Sequence, residues 1–463
     1  MLALLLALQA PVQGPPSGDP RLFDIVAAPS AARIEADIRR LVSFGTRNTM
    51  SDTLSATRGI GAARRWIKAE FDSISAACGG CLEVIYLAQE FPAGSGRLDS
   101  LRPTNIVNVV AIQRGTSDPN RFVVMAGDID SRISNGSNAQ DSSPGANDNA
   151  SGMAGTIEAA RVLSQYRFAG SIMYLGLSGE EQGLYGGGTV ARHARAQGWN
   201  IQAVLNNDMI GNIQGVDGAI DNLSARVFSD GNPPIQITMP PPGLANADSL
   251  LRAELRRVGG MLAQRRVAGS DVDGTSRQVA RYVDRIADEY MPTLDVMMIY
   301  RLDRFSRGGH HRPFADMGWP AVRIMETHEN YTRQHQNIRV ENGIAYGDVL
   351  EGVDWDYAAK LTALNAAVLG ALAWAPDRPR NVRLSGAVQP AARLRWEGPT
   401  DVSTLAGYRV YWRLTDAPQW THSRWVGSAT SWTFDGLVVD NYYFGVAAVG
   451  VNGTESPVTF PGN

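Results

Sequence analysis

Residues 143–152 read Ser-Pro-Gly-Ala-Asn-Asp-Asn-Ala-Ser-Gly, and the fold can be predicted outward from this stretch. Its Pro and Gly residues indicate a loop, and the loop carries one carboxylate, Asp148. Apolar residues follow at helical spacing and predict a helix over residues 149–166. The residues on its buried face are Met153, Ile157, Ala160, Val162 and Leu163. The sequence therefore predicts a loop that places Asp148 directly before a buried helix.

Apolar segments on both sides of this loop have the pattern of buried strands, and acidic residues follow each of them. Asp128 and Asp130 follow residues 122–126, Glu180 and Glu181 follow residues 171–177, and Asp208 follows residues 201–205. Strands that alternate with helices predict an α/β fold, with a mostly parallel, mixed sheet covered by helices on both faces. Ligands bind at the carboxyl ends of the strands in such sheets, so we expect these carboxylates to meet Asp148 there. We interpret the cluster as a metal-assisted active site.

The sequence changes character after residue 375, which predicts a second domain. Residues 21–375 carry the strand and helix pattern of the α/β domain, and residues 1–20 precede it. Residues 376–463 carry short alternating strands between turns, which predict an all-β, immunoglobulin-like sandwich. The pattern of Trp396, Tyr408 and Tyr442 within these strands resembles a fibronectin type III domain. That resemblance implies a module that attaches the protein to a polymer or a surface.

The overall composition limits the classes of partner and location. A net charge of −3 without a basic stripe predicts no nucleic-acid partner, and an apolar content of 44% predicts no membrane span. Residues 1–10 are almost wholly apolar and resemble the core of a secretory signal, although no Lys or Arg precedes that core. We therefore predict a signal peptide and linker over residues 1–20, and a secreted or periplasmic protein. The alternative is an N-terminus without such a role.

Cys78 and Cys81 are the only two cysteines of the sequence. Export would permit a structural disulfide between them. A redox dithiol or a metal site are the alternatives, although no second cysteine pair completes a site of four ligands.

The acidic residues match the needs of a hydrolytic centre with two metal ions. Such ions share one bridging carboxylate and one bridging water, whose pKa they lower. Adjacent glutamates at a strand end have diverging side chains, so one can bind metal while the other accepts the proton of the water. These needs assign Glu180 as the general base and Glu181 as a metal ligand. In the same scheme Asp148 bridges the ions and Asp208 is a terminal ligand.

Three motifs in this order resemble metallopeptidase family twenty-eight, which contains di-zinc aminopeptidases, glutamate carboxypeptidases and glutaminyl cyclases. The motifs are Gly-Ala-Asn-Asp-Asn-Ala-Ser-Gly at 145–152, Ser-Gly-Glu-Glu-Gln-Gly-Leu at 178–184 and Asn-Asp-Met-Ile-Gly at 207–211. The resemblance implies zinc as the cofactor, a peptide as the substrate, and an aminopeptidase that removes N-terminal residues. Carboxypeptidase and cyclase chemistry remain open within the same fold.

Two positions depart from the metal-ligand pattern of the family. Asp128 stands where the family has its first histidine ligand, while Asp130, which would orient that ligand, is present. Arg333 stands where the family has a late histidine. His335 lies two residues further on and could substitute, because residues two apart in an extended loop face the same side. His328 is a weaker candidate.

The segment at residues 309–314 resembles a family loop that lines the substrate pocket, although an Asp more usually precedes its His. The resemblance assigns four residues to substrate binding: His310, His311, Tyr331 and Arg333. The shape of this pocket would set the specificity.

The departures leave two hypotheses about activity. In the first, Asp128 binds metal in place of histidine, His335 completes the site, and the enzyme works with two zinc ions, one ion or another divalent metal. In the second, Arg333 points into the metal site and pairs with Asp148 or Glu181, since a guanidinium cannot deprotonate. The chain would then be a catalytically impaired pseudo-peptidase that binds peptides or attaches to a surface.

Overall fold

A computed structural model describes residues 14–232, 235, 237–269 and 273–462 of the chain. The polypeptide divides into two compact units. One comprises Pro20–Ala373, and the other comprises Trp374–Asn463 together with Met1–Asp19, as far as these residues are described. The predicted signal peptide over residues 1–10 lies outside the described residues. Within the described ranges, no helix has both the length and the apolar character needed to cross a bilayer.

The helices and strands of the described chain follow one another in a largely alternating order. The helices are α1 (Arg21–Ala27), α2 (Ala31–Val42), α3 (Gly59–Ala77), α4 (Ala150–Leu163), α5 (Glu180–Gly183), α6 (Tyr185–Ala196), α7 (Ala247–Ala268), α8 (Thr275–Tyr290), α9 (His311–Asp316) and α10 (Trp355–Trp374). The strands of the first unit are β1 (Leu82–Phe91), β2 (Thr104–Gln113), β3 (Asp118–Asp128), β4 (Gly170–Leu177), β5 (Asn200–Asn207), β6 (Ser224–Ser229), β7 (Asp295–Ile299), β8 (Ala321–Glu326), β9 (Arg339–Glu341) and β10 (Ile344–Tyr346). The strands of the second unit are β11 (Arg380–Ser385), β12 (Ala391–Glu397), β13 (Leu405–Leu414), β14 (His422–Gly427), β15 (Ser431–Asp435) and β16 (Tyr442–Gly450).

The first unit is built on an eight-stranded mixed sheet with the order β1-β2-β4-β3-β5-β8-β6-β7. Strands β4, β3, β5 and β8 run parallel to one another, while β2 is antiparallel to β4 and β6 is antiparallel to β8. The carboxyl ends of the four parallel strands therefore lie side by side. Asp128 ends β3, Asn207 ends β5 and Glu326 ends β8. This edge of the sheet is where the predicted site residues are gathered.

The residues of β3 alternate between two buried faces of the sheet. Phe122, Val124 and Ala126 pack in one apolar cluster with Val190 of α6 and Phe314 of α9. Helix α4 lies against the opposite face. Strands that are apolar on both faces are typical of parallel sheets covered by helices on each side. The prediction of a mostly parallel, mixed sheet between two helical layers is confirmed.

Two glycines allow α4 to approach the sheet closely. A Cβ atom on Gly127 would lie 2.5 Å from the carbonyl oxygen of Gly152, and a Cβ atom on Gly152 would collide with the carbonyl oxygen of Asn207. No side chain fits at such a separation, so both positions require glycine. Because Gly152 lies in the first turn of α4, this close approach brings the preceding loop with Asp148 to the ends of β3 and β5.

The second unit consists of two three-stranded antiparallel sheets, ordered β11-β12-β15 and β14-β13-β16. Buried side chains from both sheets share one apolar core. Its members are Val382, Ala392, Leu394, Trp396, Tyr408, Val410, Phe434, Phe444, Val446 and Ala448. This core between two antiparallel sheets confirms the predicted all-β sandwich. Its identity as a fibronectin type III domain stays a prediction.

Two elements of the first unit were not predicted. Helix α8 was overlooked, although its buried Val279, Val283 and Ile286 recur at the spacing of an amphipathic helix. Strand β6 is short, and its polar Ser224 and Arg226 hide a strand whose other residues are buried. Tertiary packing decides such segments more than local pattern does.

Cys78 and Cys81 form a disulfide bond at the end of α3. No free cysteine remains, because these are the only two in the sequence. Neither thiol is therefore available as a metal ligand or as half of a reduced dithiol in this structure.

Candidate metal centre

Three of the predicted metal ligands converge at the carboxyl ends of the parallel strands. Nε2 of His335 lies 2.8 Å from Oδ2 of Asp148 and 3.1 Å from Oε1 of Glu181. Asp148 and Glu181 are buried, and His335 is half-buried. Among the residues that the structure describes, this is the only group of three His, Cys, Asp or Glu side chains whose ligand atoms all lie within 4.8 Å of one another. Two carboxylates and one imidazole are thus placed to share a cation.

The loop that carries Asp148 is held by charged residues far away in the sequence. The carboxylate of Asp348 accepts hydrogen bonds from the backbone N–H groups of Asn147 and Asp148, at 2.8 and 2.7 Å. The guanidinium of Arg47, which is only 1% exposed, donates to the carbonyl oxygens of Pro144 and Gly145 at 2.5 and 2.9 Å. It also donates to the carbonyl oxygen at residue 129, just beyond β3, at 2.8 Å. These bonds fix the loop relative to the strand end.

Asp130 positions the two adjacent glutamates. Its carboxylate accepts hydrogen bonds from the backbone N–H groups of Glu180 and Glu181 at 3.2 and 3.1 Å, and from the hydroxyl of Thr49 at 2.9 Å. Burial and the neighbouring charge of Glu181 raise the pKa of Asp130 to about 7. The resemblance assigned Asp130 to the orientation of a histidine ligand. In this chain it holds the first turn of α5 instead.

The segment that carries His335 is a turn over residues 331–335, not the extended loop that the alignment assumed. His335 has a positive φ of 53°. Consequently Arg333 and His335 point to different surroundings. Arg333 donates to Oδ1 of Asn212 at 2.9 Å and to the side chain of Gln214 at 3.4 Å. The structure therefore corrects the prediction that Arg333 enters the metal site or binds substrate.

Asp128 is paired with His310 rather than with the ligand group. Its Oδ1 lies 2.5 Å from Nδ1 of His310, and its Oδ2 accepts a hydrogen bond from Nδ2 of Asn149 at 2.8 Å. Burial raises the pKa of Asp128 to about 8 and lowers the pKa of His310 to about 4. The pair therefore carries no net charge near neutral pH. Asp128, which was predicted to bind metal in place of histidine, therefore lies outside the group of Asp148, Glu181 and His335.

Asp208 is paired with a cation that the sequence analysis did not identify. Its Oδ2 lies 2.9 Å from Nη2 of Arg323, a residue of β8 that is 0% exposed. Arg323 also forms an ion pair with Asp303 at 3.1 Å and donates to the backbone carbonyl of Asp208 at 2.8 Å. Despite burial, the carboxylates of Asp208 and Asp303 raise the pKa of Arg323 above its already high ordinary value. At Asp208, burial outweighs the attraction of Arg323 and raises the pKa of the carboxyl to about 7.

Electrostatic interactions within the ligand group favour a bound cation. Burial alone would lower the pKa of His335, but the carboxylates of Glu181 and Asp148 raise that pKa to about 10. Burial likewise opposes ionisation of Asp148, but His335, Arg307 and Arg304 hold the pKa of Asp148 well below its ordinary value. Without a metal ion, His335 and Arg132 supply the positive charge that the two carboxylates attract, since the Arg132 guanidinium lies 3.3 Å from Glu181 and 2.9 Å from Nδ1 of His335.

A cavity of about 1100 Å³ opens at the centre. Its lining includes Asp148, Glu180, Glu181, Asp208 and His335. Tyr331 also lines this cavity, as expected for a residue that contacts substrate. The cavity is large enough for a few amino-acid residues of a peptide, since drug-sized ligands occupy pockets of about 300–1,000 Å³.

His310 and His311 are both 0% exposed, so neither side chain is open to a substrate. Nε2 of His311 lies 2.7 Å from the carbonyl oxygen of Leu302 and 3.6 Å from Asp303. The structure corrects their assignment to substrate binding. Both residues instead connect the start of α9 to charged groups beneath the centre.

Several charged residues that contact or support the centre were missed by the sequence analysis. Among them are Arg47, Arg132, Arg323, Glu326 and Asp348. Glu326 accepts hydrogen bonds from the Asn147 side chain at 2.9 and 3.1 Å, and burial raises its pKa to about 8. Arg323 did leave a signal, because it is a charged residue inside the otherwise apolar strand β8, and a buried charge needs a partner. Arg47 and Asp348 lie in loops and leave no such signal.

Comparison with known proteins gives the family of the chain. The model of peptidase family M28 matches residues 108–220, which include Asp128, Asp148, Glu181 and Asp208. A probable zinc metalloprotease of Pyrenophora teres f. teres is 40% identical over 450 residues, which cover 96% of this chain and 88% of the relative. A probable zinc metalloprotease of Pyricularia oryzae is 38% identical over 435 residues, which cover 93% and 82%.

One solved structure, the LapA aminopeptidase of Legionella pneumophila, has a similar fold, with a TM-score of 0.51. The match covers 79% of this chain and 78% of that one at 17% identity, so it supports the fold alone. The sequence relatives extend over nearly the whole chain, and their description as zinc metalloproteases implies zinc as the metal. On these grounds the chain belongs to peptidase family M28.

Proposed function

We propose that the protein is a zinc-dependent exopeptidase, most simply an aminopeptidase, that uses Glu180 as its general base. The observation that carries this proposal is the convergence of Asp148, Glu181 and His335 beside Glu180 in an open cavity. One imidazole nitrogen and two carboxylate oxygens are ligands that zinc accepts. Catalytic zinc sites commonly have three protein ligands and leave a position for water or substrate. The residues present therefore fit a zinc ion.

Zinc held by these three side chains would lower the pKa of a bound water and polarise the scissile carbonyl. The chain itself supplies the proton acceptor. Within the described residues, the Glu180 carboxylate forms no hydrogen bond or ion pair, and Glu180 lines the cavity. Burial and the charges of Glu181 and Asp208 raise the pKa of Glu180 well above its ordinary value. A raised pKa brings a carboxylate closer to the working pH of a general base.

The preference for an N-terminal residue rests on the charge of the cavity near the centre. The carboxylates of Asp148, Glu180 and Glu181 line its wall and would attract the ammonium group of a peptide. Six arginines of the described chain also line the cavity. Arg132, Arg304 and Arg307 are paired with Glu181 or Glu329, and the other three are Arg97, Arg192 and Arg312. Within the described residues, none of these three forms an ion pair with an acidic side chain. They favour a second candidate, a carboxypeptidase that binds the terminal carboxylate of its substrate.

The pseudo-peptidase alternative depended on Arg333 entering the site. Arg333 contacts Asn212 and Gln214 instead, so this alternative loses that support. It keeps the support of Asp128, which replaces the expected histidine. We retain it as the outcome to expect if the purified chain binds zinc but cleaves no peptide.

Peptide cleavage by the purified full chain tests the proposal. Aminoacyl 4-nitroanilides report on aminopeptidase activity, and their N-acetylated forms are the matched control, because acetylation removes the ammonium group. Peptides with a blocked N-terminus and a free C-terminus report on carboxypeptidase activity. We expect cleavage of the unblocked anilides that a zinc chelator abolishes and added zinc restores. Cleavage that resists the chelator, or no cleavage of either substrate class, would contradict the proposal.

Export and attachment are further parts of the proposal. The apolar residues 1–10 support a secreted or periplasmic location, and the β-sandwich of the second unit supports attachment to a polymer or a surface. Mass spectrometry of the N-terminus of the protein from its native source would show whether residues 1–10 are removed. An intracellular protein that retains these residues would contradict export.

A further inference from the structure

The acidic residues at the strand ends do not all belong to one ligand group. Asp148 and Glu181 face His335, whereas Asp128 and Asp208 face other protein groups. Glu181 also lies 3.3 Å from Nε of Arg132, but that side chain is 22% exposed at the cavity wall and can turn aside for a metal ion, whereas the side chain of Arg323 is fully buried. A centre with two ions needs a second set of ligands besides the first. The partners of Asp128 and Asp208 therefore decide how many ions the centre can hold.

Arg323 already supplies a positive charge to Asp208. The guanidinium lies 2.9 Å from the Asp208 carboxylate in a fully buried position. It is held there by Asp303 at 3.1 Å and by the carbonyl oxygen of Gly308 at 2.6 Å. Arginine cannot lose its proton in a protein, so this charge is permanent. Moving the side chain away would leave two buried carboxylates without their partner, which is strongly unfavourable.

Asp128 is also engaged on both of its oxygens. One lies 2.5 Å from Nδ1 of His310, and the other accepts the hydrogen bond of Asn149 at 2.8 Å. The remaining nitrogen of His310, Nε2, is buried and has no hydrogen-bond partner. However, no group of three ligand atoms within 4.8 Å of one another includes His310 among the described residues. This side chain alone does not complete a second site.

From this arrangement we infer that the centre holds a single zinc ion, bound by Asp148, Glu181 and His335, and that Arg323 takes the electrostatic place of a second ion. The inference rests on the proposed function, since it presumes that zinc binds at this centre. The guanidinium neutralises Asp208 and keeps that carboxylate out of the ligand set. A divalent cation placed beside Asp208 would be repelled by the fixed charge of Arg323 at short range. Arg323 is thus a positioning residue for the charge balance of the centre.

Zinc stoichiometry of the full chain tests the inference directly. The metal-free protein is titrated with zinc by isothermal calorimetry, and bound zinc is counted by elemental analysis after gel filtration. We expect one equivalent per chain, together with chelator-sensitive cleavage of peptides. Two equivalents would overturn the inference and leave the proposed function standing. A chain that binds no zinc would overturn both.

Variants of Arg323 test whether its charge excludes the second ion. Arg323→Met removes the charge with a side chain of similar length, and we expect a second, weaker equivalent of zinc. Arg323→Lys is the matched control, because it keeps a positive charge and should still bind one equivalent. Circular dichroism shows whether each variant is folded. One equivalent in a folded Arg323→Met variant, or two in Arg323→Lys, would overturn the role of Arg323.

A second variant keeps the inference testable if Arg323→Met does not fold. The double change Asp128→His with His310→Asp exchanges the two members of the buried pair and returns an imidazole to the end of β3. Arg323 is unchanged in this variant. We therefore expect it to bind one equivalent, as the original chain does. Two equivalents would show that the missing histidine, rather than Arg323, excludes the second ion.

Discussion

The two sides of the acidic centre differ in what their carboxylates face. On one side, Asp148 and Glu181 face an imidazole that can exchange its proton for a metal ion, and the guanidinium of Arg132, 3.3 Å from Glu181, is partly exposed at the cavity wall. On the other, Asp208 faces Arg323, whose charge is permanent, and Asp128 forms a neutral pair with His310. All four carboxylates come from equivalent places at the ends of neighbouring strands or in the adjoining loop. The difference teaches that the partner of a carboxylate, rather than its place in the fold, decides whether it can bind a metal.

The difference also separates two kinds of contribution to function. A histidine partner gives a site that is empty or loaded according to pH and zinc concentration. An arginine partner gives a charge that is always present and needs no cofactor.

The largest effect on activity is expected for a substitution of Glu180. Glu180→Gln removes the proton acceptor and should lower kcat by about 10²–10⁴-fold, as general-base catalysis is typically worth. Zinc binding should persist, because Glu180 is outside the ligand group. Cleavage of aminoacyl anilides and elemental analysis of the same preparation measure both effects. Glu341→Gln on the exposed hairpin is a matched control with unchanged activity. Loss of zinc from Glu180→Gln would instead make Glu180 a ligand.

Paired substitutions on the two sides should separate them by zinc affinity. Asp148→Asn removes a ligand and should weaken zinc binding at least about 100-fold, since even indirect partners of metal ligands are worth 10–100-fold. Asp208→Asn should leave the affinity nearly unchanged. It should instead lower the free energy of unfolding by about 3 kcal/mol, because part of the buried pairing of Arg323 is lost while Asp303 remains. Calorimetric zinc titration and urea unfolding measure the two quantities. Equal losses of zinc affinity in Asp148→Asn and Asp208→Asn would contradict the difference between the two carboxylates.

The pH dependence of zinc binding should come from the histidine side. The carboxylates of Glu181 and Asp148 raise the pKa of His335 to about 10, which favours a protonated imidazole at neutral pH in the metal-free centre. Arg132, whose guanidinium lies 2.9 Å from Nδ1, must turn aside for that nitrogen to carry a proton. Zinc binds the deprotonated nitrogen, so each ion releases one proton below that pKa. Apparent affinity should therefore fall about tenfold for every unit by which the pH is lowered. Titrations in buffers of different ionisation enthalpy count the released protons. Affinity that does not change between neutral and mildly acidic pH would mean that His335 is not a ligand.

The smallest effect is expected at Arg333, which the sequence placed in the centre and the structure places outside it. Arg333→Ala removes hydrogen bonds to Asn212 and Gln214 and should lower stability by about 0.5–1.5 kcal/mol. Zinc affinity and kcat should stay at the level of the unaltered chain. A marked gain in zinc affinity would return Arg333 to the metal site and revive the pseudo-peptidase hypothesis.

The sequence predicted the acidic members of the centre better than their basic partners. Asp128, Asp148, Glu181 and Asp208 follow strongly apolar strands or a Pro/Gly loop, and such local patterns place them at one edge of a parallel sheet. The partners are set by tertiary contacts. Arg323 lies in the middle of β8, and only the neighbouring position of β5 brings it to Asp208. The contact between Arg323 and Asp208 cannot be predicted from the periodicity of the sequence.

The fold shows the same division between local and tertiary information. The strands at the middle of the sheet were predicted because their apolar runs are continuous, and the glycine-rich loop identified the start of α4. Strand β6 was not predicted, since polar residues interrupt its short pattern, whereas helix α8 was overlooked despite its amphipathic spacing. Residues 331–335 were predicted to be extended, but they form a turn. His335 nevertheless reaches Asp148, so the residue was identified correctly although the predicted backbone conformation was wrong.

The buried side chain of Arg47 has a consequence for how the protein handles loss of its metal. It joins the ends of three separate backbone segments through the carbonyl oxygens of Leu41, Ile129 and Gly145. Those links are made by protein atoms only, so the scaffold around Asp148 persists after chelation. A stripped preparation should therefore recover as soon as zinc returns, without a slow reassembly of the polypeptide.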